Sequence, residues 1–320
     1  MLFVRITTSG WTDNKLLMSK QAEKEKIERQ EYGSHERFSP YGIMASYGFS
    51  PKKALGQNFL NDLTIVKKIV DASGAGPEDL VIEVGPGLGV MTTLLAERAG
   101  HVAAIEIDRE LSPVLDPLVL KYRNLDVIYD DVMRVNIGKL ISDIKLSKPE
   151  LKRVKVVANL PYYITTPIIM MFLEQYADKL ASLTFMVQKE VAHRLVSPPG
   201  GSEYGAISVS VAYYSDAHIC FDVPASCFVP RPKVDSSVVN MSVYSVPPVS
   251  PRSTDFMFRL VRASFSQRRK MFVNSIANAS LPGVSKERVS QALETLGISP
   301  SIRGESLGVK DFAALSDLLS

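Results

Sequence analysis

The strongest chemical signal in this sequence is a run of four residues, Asn159-Leu160-Pro161-Tyr162. It follows the apolar stretch from Val154 to Ala158, which predicts a buried strand, and open α/β sheets bind ligands where strands end. The Asn159 side-chain oxygen and the Leu160 carbonyl can accept both hydrogens of a nucleobase amine and draw its lone pair out of conjugation. Pro161 stiffens the turn, and the Tyr162 ring can stack on a base that has left its helix. The run favours methyl transfer to an exocyclic amine, although a plain strand followed by a Pro-Tyr turn has the same pattern.

A glycine-rich turn lies upstream, after the strand signal that begins at Val81. Its spacing is G-x-G-x-G, through Gly85, Gly87 and Gly89, and differs from the dinucleotide pattern G-x-G-x-x-G. Glycines at such a turn let the backbone approach a ligand closely. No Walker lysine follows, so the turn does not indicate a phosphate cradle.

Two acidic positions follow the glycine turn in chain order. Glu106 ends the next strand signal, where a carboxylate can accept hydrogen bonds from both ribose hydroxyls of a nucleoside cofactor. Asp131 follows the third strand signal and can accept a hydrogen bond from an adenine amine, a role for which Asp130 competes. A glycine turn, a ribose acid and an adenine acid in this order predict an S-adenosylmethionine pocket. The alternative for Glu106 is a surface acid at a strand end.

These residues need a framework that brings several strand ends together. Strand signals occur at Leu80–Val84, His101–Ile107, Leu125–Tyr129, Val154–Ala158 and Leu183–Val187, and helix signals at Leu63–Ala72, Val90–Arg98 and Pro167–Tyr176. Such alternation predicts a parallel, doubly wound sheet. We expect two later strands, Ile207–Tyr214 and Ser236–Val243, to add an antiparallel edge and bring the sheet to seven strands.

The pattern changes towards both ends of the chain. Residues 1–43 are largely charged and polar and lack a signal-peptide pattern, so we expect a disordered extension, with a solvated helix as the alternative. A few positive charges leave organelle targeting open as a further interpretation. Pro247 to Pro251 reads as a linker. Helical periodicity follows at Thr254–Phe265, Met271–Ala279, Lys286–Leu296 and Lys310–Leu319. We therefore expect a catalytic domain over residues 44–246 and a helical RNA-binding domain over residues 247–320.

Bulk composition argues against several classes of protein. Apolar residues make up 46% and charged residues 22% of the chain, as in ordinary globular proteins, and the net charge is only +3. Cys220 and Cys227 are the two cysteines and form no CxxC pair, which argues against a disulfide scaffold or a structural zinc site. This usage fits a reducing compartment, so we expect a cytoplasmic protein. No apolar run predicts a membrane span, and the scattered histidines predict no metal site.

Positive charge is concentrated near the C-terminal end. Five cations lie within twelve residues that contain no acid: Arg259, Arg262, Arg268, Arg269 and Lys270. Arg259 and Arg262 share one helix face, and such a face can follow the phosphates of RNA. Lys52 and Lys53 can add to the same groove. A solvated basic helix end is the alternative interpretation.

Taken together, these motifs resemble the ribosomal RNA adenine dimethyltransferases, and most closely the small-subunit enzymes of the kasugamycin-sensitivity family. Lys52 to Leu60 resembles the opening K-x-x-G-Q-N-F-L of that family, and Phe228 to Ser236 resembles its F-x-P-x-P-K-V-D-S. Ala263 to Lys270 resembles a basic stretch of its C-terminal domain. The resemblance covers residues 50–320 and implies a class I S-adenosylmethionine-dependent methyltransferase fold, which is Rossmann-like, with a small helical domain.

The resemblance also implies roles for individual residues. The cofactor would be held by Gln57, Asn58, Leu60, Gly85, Gly87, Glu106, Asp131 and Asn159. Tyr162 and Phe228 would sandwich the target adenine, and Arg231 and Lys233 would join the RNA contacts. Tyr163 stands where many relatives have asparagine, and we expect this departure to tune the pocket without abolishing activity.

The implied reaction dimethylates two adjacent adenosines near the 3′ end of small-subunit ribosomal RNA during ribosome assembly. The partner would be that RNA or a pre-subunit particle, and we expect a monomer that needs no metal. One alternative is the large-subunit enzyme of the macrolide-resistance type, which shares the fold. A DNA adenine methyltransferase usually carries Pro-Pro-Tyr, from which Leu160 departs. A non-catalytic RNA-binding assembly factor is the remaining alternative.

Overall fold

The computed structural model of this chain describes residues 39–279 and 281–320. Its elements, in chain order, are α1 (Pro40–Ser46), β1 (Phe59–Leu60), α2 (Leu63–Ser73), β2 (Asp79–Val84), α3 (Val90–Ala96), β3 (His101–Glu106), α4 (Ser112–Lys121), β4 (Leu125–Tyr129), α5 (Ile137–Ser147), β5 (Arg153–Asn159), α6 (Thr165–Tyr176), β6 (Ser182–Gln188), α7 (Lys189–Val196), α8 (Ala206–Tyr214), β7 (Ser215–Val223), β8 (Phe228–Val229), β9 (Ser236–Val243), α9 (Thr254–Ser266), α10 (Phe272–Asn278), α11 (Lys286–Thr295) and α12 (Val309–Leu319).

One mixed sheet of seven strands forms the centre of the fold, in the order β4-β3-β2-β5-β6-β9-β7. The first five of these are parallel, and β9 pairs antiparallel with both β6 and β7. The inner strands β2, β3, β5 and β6 are buried along almost their whole length, because helices cover the sheet on each side. The doubly wound, Rossmann-like sheet with an antiparallel edge is therefore confirmed.

The strand order reverses between β2 and β5. The chain builds β3 and β4 on one side of β2, then crosses over and places β5 on the other side. In this pairing Val84 lies beside Ala158, so the glycine turn after β2 and the polar run after β5 emerge next to each other. Open α/β sheets bind their ligands at such a reversal.

One predicted strand was wrong. Residues 207–214 belong to helix α8, and the edge strand is β7, which begins directly afterwards at Ser215. The alternating, β-branched sequence of this segment favours a strand. Its two faces are buried instead against different partners, with Val211 in the core of the sheet and Val209 and Tyr213 in the core of the C-terminal helices. Burial on both sides overrides local propensity, because a helix can present apolar residues in two directions.

The C-terminal helices α9 to α12 pack around their own hydrophobic cluster, which includes Phe272, Leu293 and Phe312. Tyr204 joins this cluster, and its hydroxyl donates a hydrogen bond of 2.9 Å to the Leu307 carbonyl. The helical domain predicted for residues 247–320 thus shares its core with the segment around α8. At the other end, α1 begins at Pro40, and residues 1–38 of the predicted extension lie outside the described residues.

The described residues contain neither a membrane span nor a cluster of metal ligands. No helix there is long and apolar enough to cross a membrane. No group of three or more His, Cys, Asp or Glu side chains in the same ranges could hold a metal ion.

A wholly buried acid, Glu83, lies on β2 two residues before the glycine turn. It is flanked in the sheet by Ala104 and Val157, and neither carboxyl oxygen has a hydrogen-bond partner among the described residues. Burial raises the pKa of Glu83 to about 8, and the charge of Glu106 adds to this shift. The carboxyl group is therefore mostly neutral at pH 7.

This burial predicts a pH-dependent stability. Between the ordinary pKa of 4.5 and about 8, the unfolded chain has lost the Glu83 proton while the folded protein keeps it. The free energy of unfolding therefore falls as pH rises through this range, by on the order of 5 kcal/mol. Glu83→Gln removes the titrating group. In urea unfolding we therefore expect the free energy of unfolding of wild type, relative to that of this variant, to fall between about pH 5 and pH 8. Glu150→Gln, at an exposed glutamate, is the control. A wild-type-minus-variant difference that is constant with pH would contradict the prediction.

Candidate active site

An open cavity lies at the reversal between β2 and β5. Its wall is built mainly from the loop and strand before α2, the glycine turn, the end of β3 and the run after β5, and helices α2 and α3 contribute a few further residues. The predicted site residues on this wall are Gln57, Asn58, Leu60, Gly85, Gly87, Glu106, Asn159, Leu160, Pro161 and Tyr162. Residues up to about 100 positions apart in the sequence therefore meet at one edge of the sheet.

The glycine turn requires glycine for two different reasons. Gly85 has φ of 71° and faces open space, so only its backbone conformation excludes other residues. Gly87 has φ of 58°, and an added Cβ there would lie 2.9 Å from the ring of Phe59. The turn thus exposes backbone to the cavity while Phe59 packs against it from β1.

Glu106 is held in one orientation at the end of β3. It is 4% exposed, and its two carboxyl oxygens accept hydrogen bonds from the Gly87 N–H at 3.1 Å and the Asp108 N–H at 2.8 Å. Burial raises the pKa of Glu106, and these two N–H groups oppose the shift. Each oxygen keeps a lone pair, so the group can still accept hydrogen bonds from a diol.

The segment before β1 is tied to the end of β3 by a polar network. The Gln57 side chain accepts from the Lys52 N–H at 2.7 Å and donates to Asp108 at 2.9 Å. Lys52 Nζ lies 2.7 Å from Asp108 and 3.0 Å from Glu110. Burial alone would raise the pKa of Asp108, but hydrogen bonds from Lys52 and Gln57 hold it below its ordinary value. The ammonium of Lys52 is engaged by two carboxylates, and its contact with RNA stays a prediction.

Asn159 is oriented by a single hydrogen bond. Its Nδ2 donates to the Asn58 carbonyl at 3.0 Å, so the amide oxygen is the group left for a ligand. The next residue, Leu160, donates its N–H to the Met186 carbonyl at 3.2 Å. In the described part of the chain, no donor reaches Asn159 Oδ1 or the Leu160 carbonyl. Both residues line the cavity, and each has an acceptor oxygen without a donor.

The ring of Tyr162 closes this part of the cavity. Its hydroxyl lies 2.9 Å from the Ser236 hydroxyl at the start of β9, and burial raises its pKa. Phe228, the other predicted stacking residue, is only 2% exposed and belongs to a hydrophobic core cluster. It lies on β8, which pairs with β1, and its partner there is Leu60. Since Phe228 is absent from the cavity wall, its contact with a target base stays a prediction.

The predicted adenine acid also lies off the wall. The Asp131 carboxylate accepts a hydrogen bond from the Met133 N–H at 2.9 Å, and Asp130 accepts one from the Asp131 N–H at 2.7 Å. Both aspartates follow β4, one strand away from Glu106. The choice between them therefore stays open.

Several apolar residues on the wall were missed from the sequence, and Ile107 and Phe59 are two of them. Ile107 is 51% exposed although it sits between Glu106 and Asp108, and Phe59 packs against the glycine turn. An exposed isoleucine beside a ribose-type acid suits the flat face of a purine. The signal for Ile107 was its position directly after a strand, where an apolar side chain no longer has a sheet face to cover.

The predicted RNA-binding cations differ in their surroundings. Arg268 lies 2.8 Å from Glu305 and donates to the Ser202 carbonyl at 2.6 Å, so it connects two parts of the fold. The Arg259 guanidinium lies 5.4 Å from the centre of the Phe256 ring. Among the described residues, no carboxylate forms an ion pair with the exposed side chains of Lys53, Arg231, Lys233, Arg262, Arg269 and Lys270.

Comparison with known proteins agrees with this geometry. Residues 48–319 match the model of the family described as "Ribosomal RNA adenine dimethylase". A protein of Alkaliphilus metalliredigens named ribosomal RNA small subunit methyltransferase A is 46% identical over 274 residues, which are 86% of this chain and 93% of that protein. One of Lachnoclostridium phytofermentans with the same name is 43% identical over 87% of this chain and 94% of its own.

Solved structures give the same result at the level of the fold. A dimethyladenosine transferase from Plasmodium falciparum is similar with a TM-score of 0.67 and 26% identity, over 80% of this chain and 95% of that one. A 23S rRNA methyltransferase has a TM-score of 0.62 at 23% identity, over 82% and 99% of the two chains, and shows the shared fold alone. The matched family model spans nearly all of the described residues, and the chain belongs to the ribosomal RNA adenine dimethylase family.

Proposed function

We propose that this protein transfers methyl groups from S-adenosylmethionine to the exocyclic amine of adenines in small-subunit ribosomal RNA. In this proposal it dimethylates two adjacent adenosines near the 3′ end during ribosome assembly, and it acts as a monomer in the cytoplasm. The observation that carries the proposal is the pair of acceptors without donors, Asn159 Oδ1 and the Leu160 carbonyl, beside a glycine turn. The names of the curated relatives supply the substrate class.

The residues on the wall fit the proposed cofactor. Glu106 has lone pairs left for the two ribose hydroxyls, Ile107 offers an apolar face to adenine, and Gly85 leaves space above its backbone. Gln57 and Asn58 would line the methionine end, and Asp131 or Asp130 would accept from the adenine amine. When bound, S-adenosylmethionine supplies an electrophilic methyl group whose departure leaves a neutral thioether, so no side chain is needed to stabilise a leaving anion.

The chain's own contribution is to orient and polarise the amine. Asn159 Oδ1 and the Leu160 carbonyl would accept its two hydrogens, which frees the nitrogen lone pair from the ring. Because Nδ2 of Asn159 is held by Asn58, the amide cannot turn its own N–H towards the amine without breaking that bond. Tyr162, fixed by Ser236, would stack on the base. Catalysis then depends mainly on positioning.

No side chain on the described wall suits the role of a general base. The ionisable groups there are Glu106 and Tyr162. Glu106 is committed to two backbone N–H groups and to the ribose, and the raised pKa of Tyr162 keeps it a phenol at neutral pH. The amine becomes acidic only after it is methylated, so its proton can pass to solvent.

The direct test supplies the purified protein with labelled S-adenosylmethionine and, separately, unmethylated small and large ribosomal subunits. Dimethyladenosine is then mapped by reverse-transcription stops. We expect label in small-subunit RNA at adjacent adenosines. Label confined to large-subunit RNA would replace the proposal with the macrolide-resistance activity, and label in neither would favour a non-catalytic role.

Asn159→Ala is expected to lower kcat by about 10²–10³, the effect of losing one preorganised hydrogen-bonding group in a catalytic site. The dissociation constant of S-adenosylmethionine should change much less, because Asn159 is one of several residues proposed to contact the cofactor. Asn61→Ala is the matched control, since Asn61 also donates its side-chain N–H to a backbone carbonyl, that of Ser226, but lies off the wall. An unchanged kcat in Asn159→Ala, measured by methyl incorporation, would remove Asn159 from the mechanism.

We infer from the surroundings of the cations that Arg269 and Lys270 contact RNA, whereas Arg268 stabilises the fold. We expect Arg269→Ala combined with Lys270→Ala to weaken binding of small subunits and to lower the slope of log Kd against log salt by about 2. Arg268→Ala should instead lower the thermal midpoint, because it breaks the contacts with Glu305 and Ser202. Filter binding across salt concentrations and thermal unfolding measure the two effects. The prediction is contradicted if the double variant keeps the wild-type slope.

A further inference from the structure

Tyr163 places an aromatic ring just outside the cavity. It follows Tyr162, the last residue of the wall, and 60% of it is exposed. One edge of the ring lies against Gly56, where an added Cβ would be 3.4 Å from Cδ1 of Tyr163. The ring is therefore supported along one side and open to solvent over most of its surface.

The backbone that carries this ring is fixed by a tight turn. The Pro161 carbonyl accepts hydrogen bonds from the Ile164 N–H at 3.2 Å and from the Thr165 hydroxyl at 3.0 Å. Pro161 itself has a restricted φ. A ring on such a support loses little conformational freedom when another ring stacks on it, so more of the stacking energy appears as affinity.

A cation stands close to the same support. Lys53 is exposed, and its carbonyl accepts a hydrogen bond of 3.0 Å from the Gly56 N–H. Unlike Lys52, which is 2.7 Å from Asp108, Lys53 has no carboxylate partner in the described ranges. Tyr163 and Lys53 thus both adjoin Gly56, a residue of the cavity wall: Tyr163 through the edge of its ring and Lys53 through its backbone carbonyl.

We propose that Tyr163 and Lys53 form an outer subsite for the nucleotide next to the target base, with that base stacked on the Tyr163 ring and its phosphate at the Lys53 ammonium. The proposal rests on the proposed function, because it needs a single-stranded RNA whose target base enters the cavity past Tyr162. Neighbouring nucleotides are covalently joined, so a base inside the cavity brings its neighbour to the mouth. Every base has a π face, and stacking on an aromatic side chain is therefore tolerant of sequence.

The first experiment tests the stacking on Tyr163. It compares the KM for unmethylated small subunits of Tyr163→Ala, Tyr163→Phe and wild type. We expect Tyr163→Ala to raise KM for the subunits about tenfold, equivalent to about 1.4 kcal/mol and within the range for stacking one base. Tyr163→Phe should keep the wild-type KM, because stacking needs the ring and not the hydroxyl. Tyr244→Ala is the matched control. Tyr244 is 37% exposed and directly follows β9, at the end of the strands away from the cavity.

Three outcomes would overturn the ring assignment. An unchanged KM in Tyr163→Ala would show that nothing stacks there. A KM raised equally in Tyr163→Phe would assign the effect to the hydroxyl. A parallel rise in the dissociation constant of S-adenosylmethionine would mean that Tyr163 only supports the Gly56 turn. If instead the proposed function were wrong, wild type itself would methylate no small subunits, which distinguishes the two cases.

The second experiment tests the phosphate contact of Lys53. It measures how KM for the small subunits depends on salt concentration in Lys53→Ala and in wild type. A contact with one phosphate predicts that the slope of log KM against log salt falls by about 1, with the dissociation constant of S-adenosylmethionine unchanged. In the double variant with Tyr163→Ala, the two effects on KM should be less than additive, because both residues hold the same nucleotide. A slope equal to that of wild type would remove Lys53 from the subsite.

Discussion

The parallel pairing of β2 with β5 is the contact on which the site depends. It sets Val84 beside Ala158, so two segments that are more than seventy residues apart leave the sheet at adjacent positions. One segment exposes backbone through glycine, and the other presents the acceptors of Asn159 and Leu160. A slip of the register by one residue would turn every side chain of the strand to the other face of the sheet. The apolar residues on both faces of these strands therefore protect the geometry of the cavity as well as the stability of the core.

The remaining walls are attached to this pair by polar contacts that span long stretches of chain. Gln57 is held by Asp108, Asn159 by the Asn58 carbonyl, and Tyr162 by Ser236. Each contact joins a residue of the site to a different element of the fold. The segment before α2 thus takes part in the site although it belongs to no strand of the main sheet.

Local pattern was enough to predict the parts of the structure that depend on local sequence. Alternating strand and helix signals gave the parallel sheet, and positions after strands gave Glu106 and Asn159, because the ends of parallel strands meet at one edge. Helix α8 was missed since its two faces are buried by elements from different regions of the chain. The engagement of Lys52 was missed for a similar reason, because Asp108 lies 56 residues away and no periodicity connects them. Burial of Phe228 depends on its pairing with β1, which no local signal specifies.

The fixed orientation of the Asn159 amide has a consequence for when the reaction stops. An unmodified adenine offers two hydrogens to the two acceptors, and a monomethylated one still offers one. The dimethylated amine has none, so Asn159 Oδ1 and the Leu160 carbonyl would both face a nitrogen without hydrogen. Unsatisfied acceptors in a partly buried site are costly, which favours release of the finished base. If these acceptors hold the target amine as proposed, their lone pairs would also repel the keto oxygen of guanine, and one arrangement would both limit the number of methyl groups and reject the wrong purine.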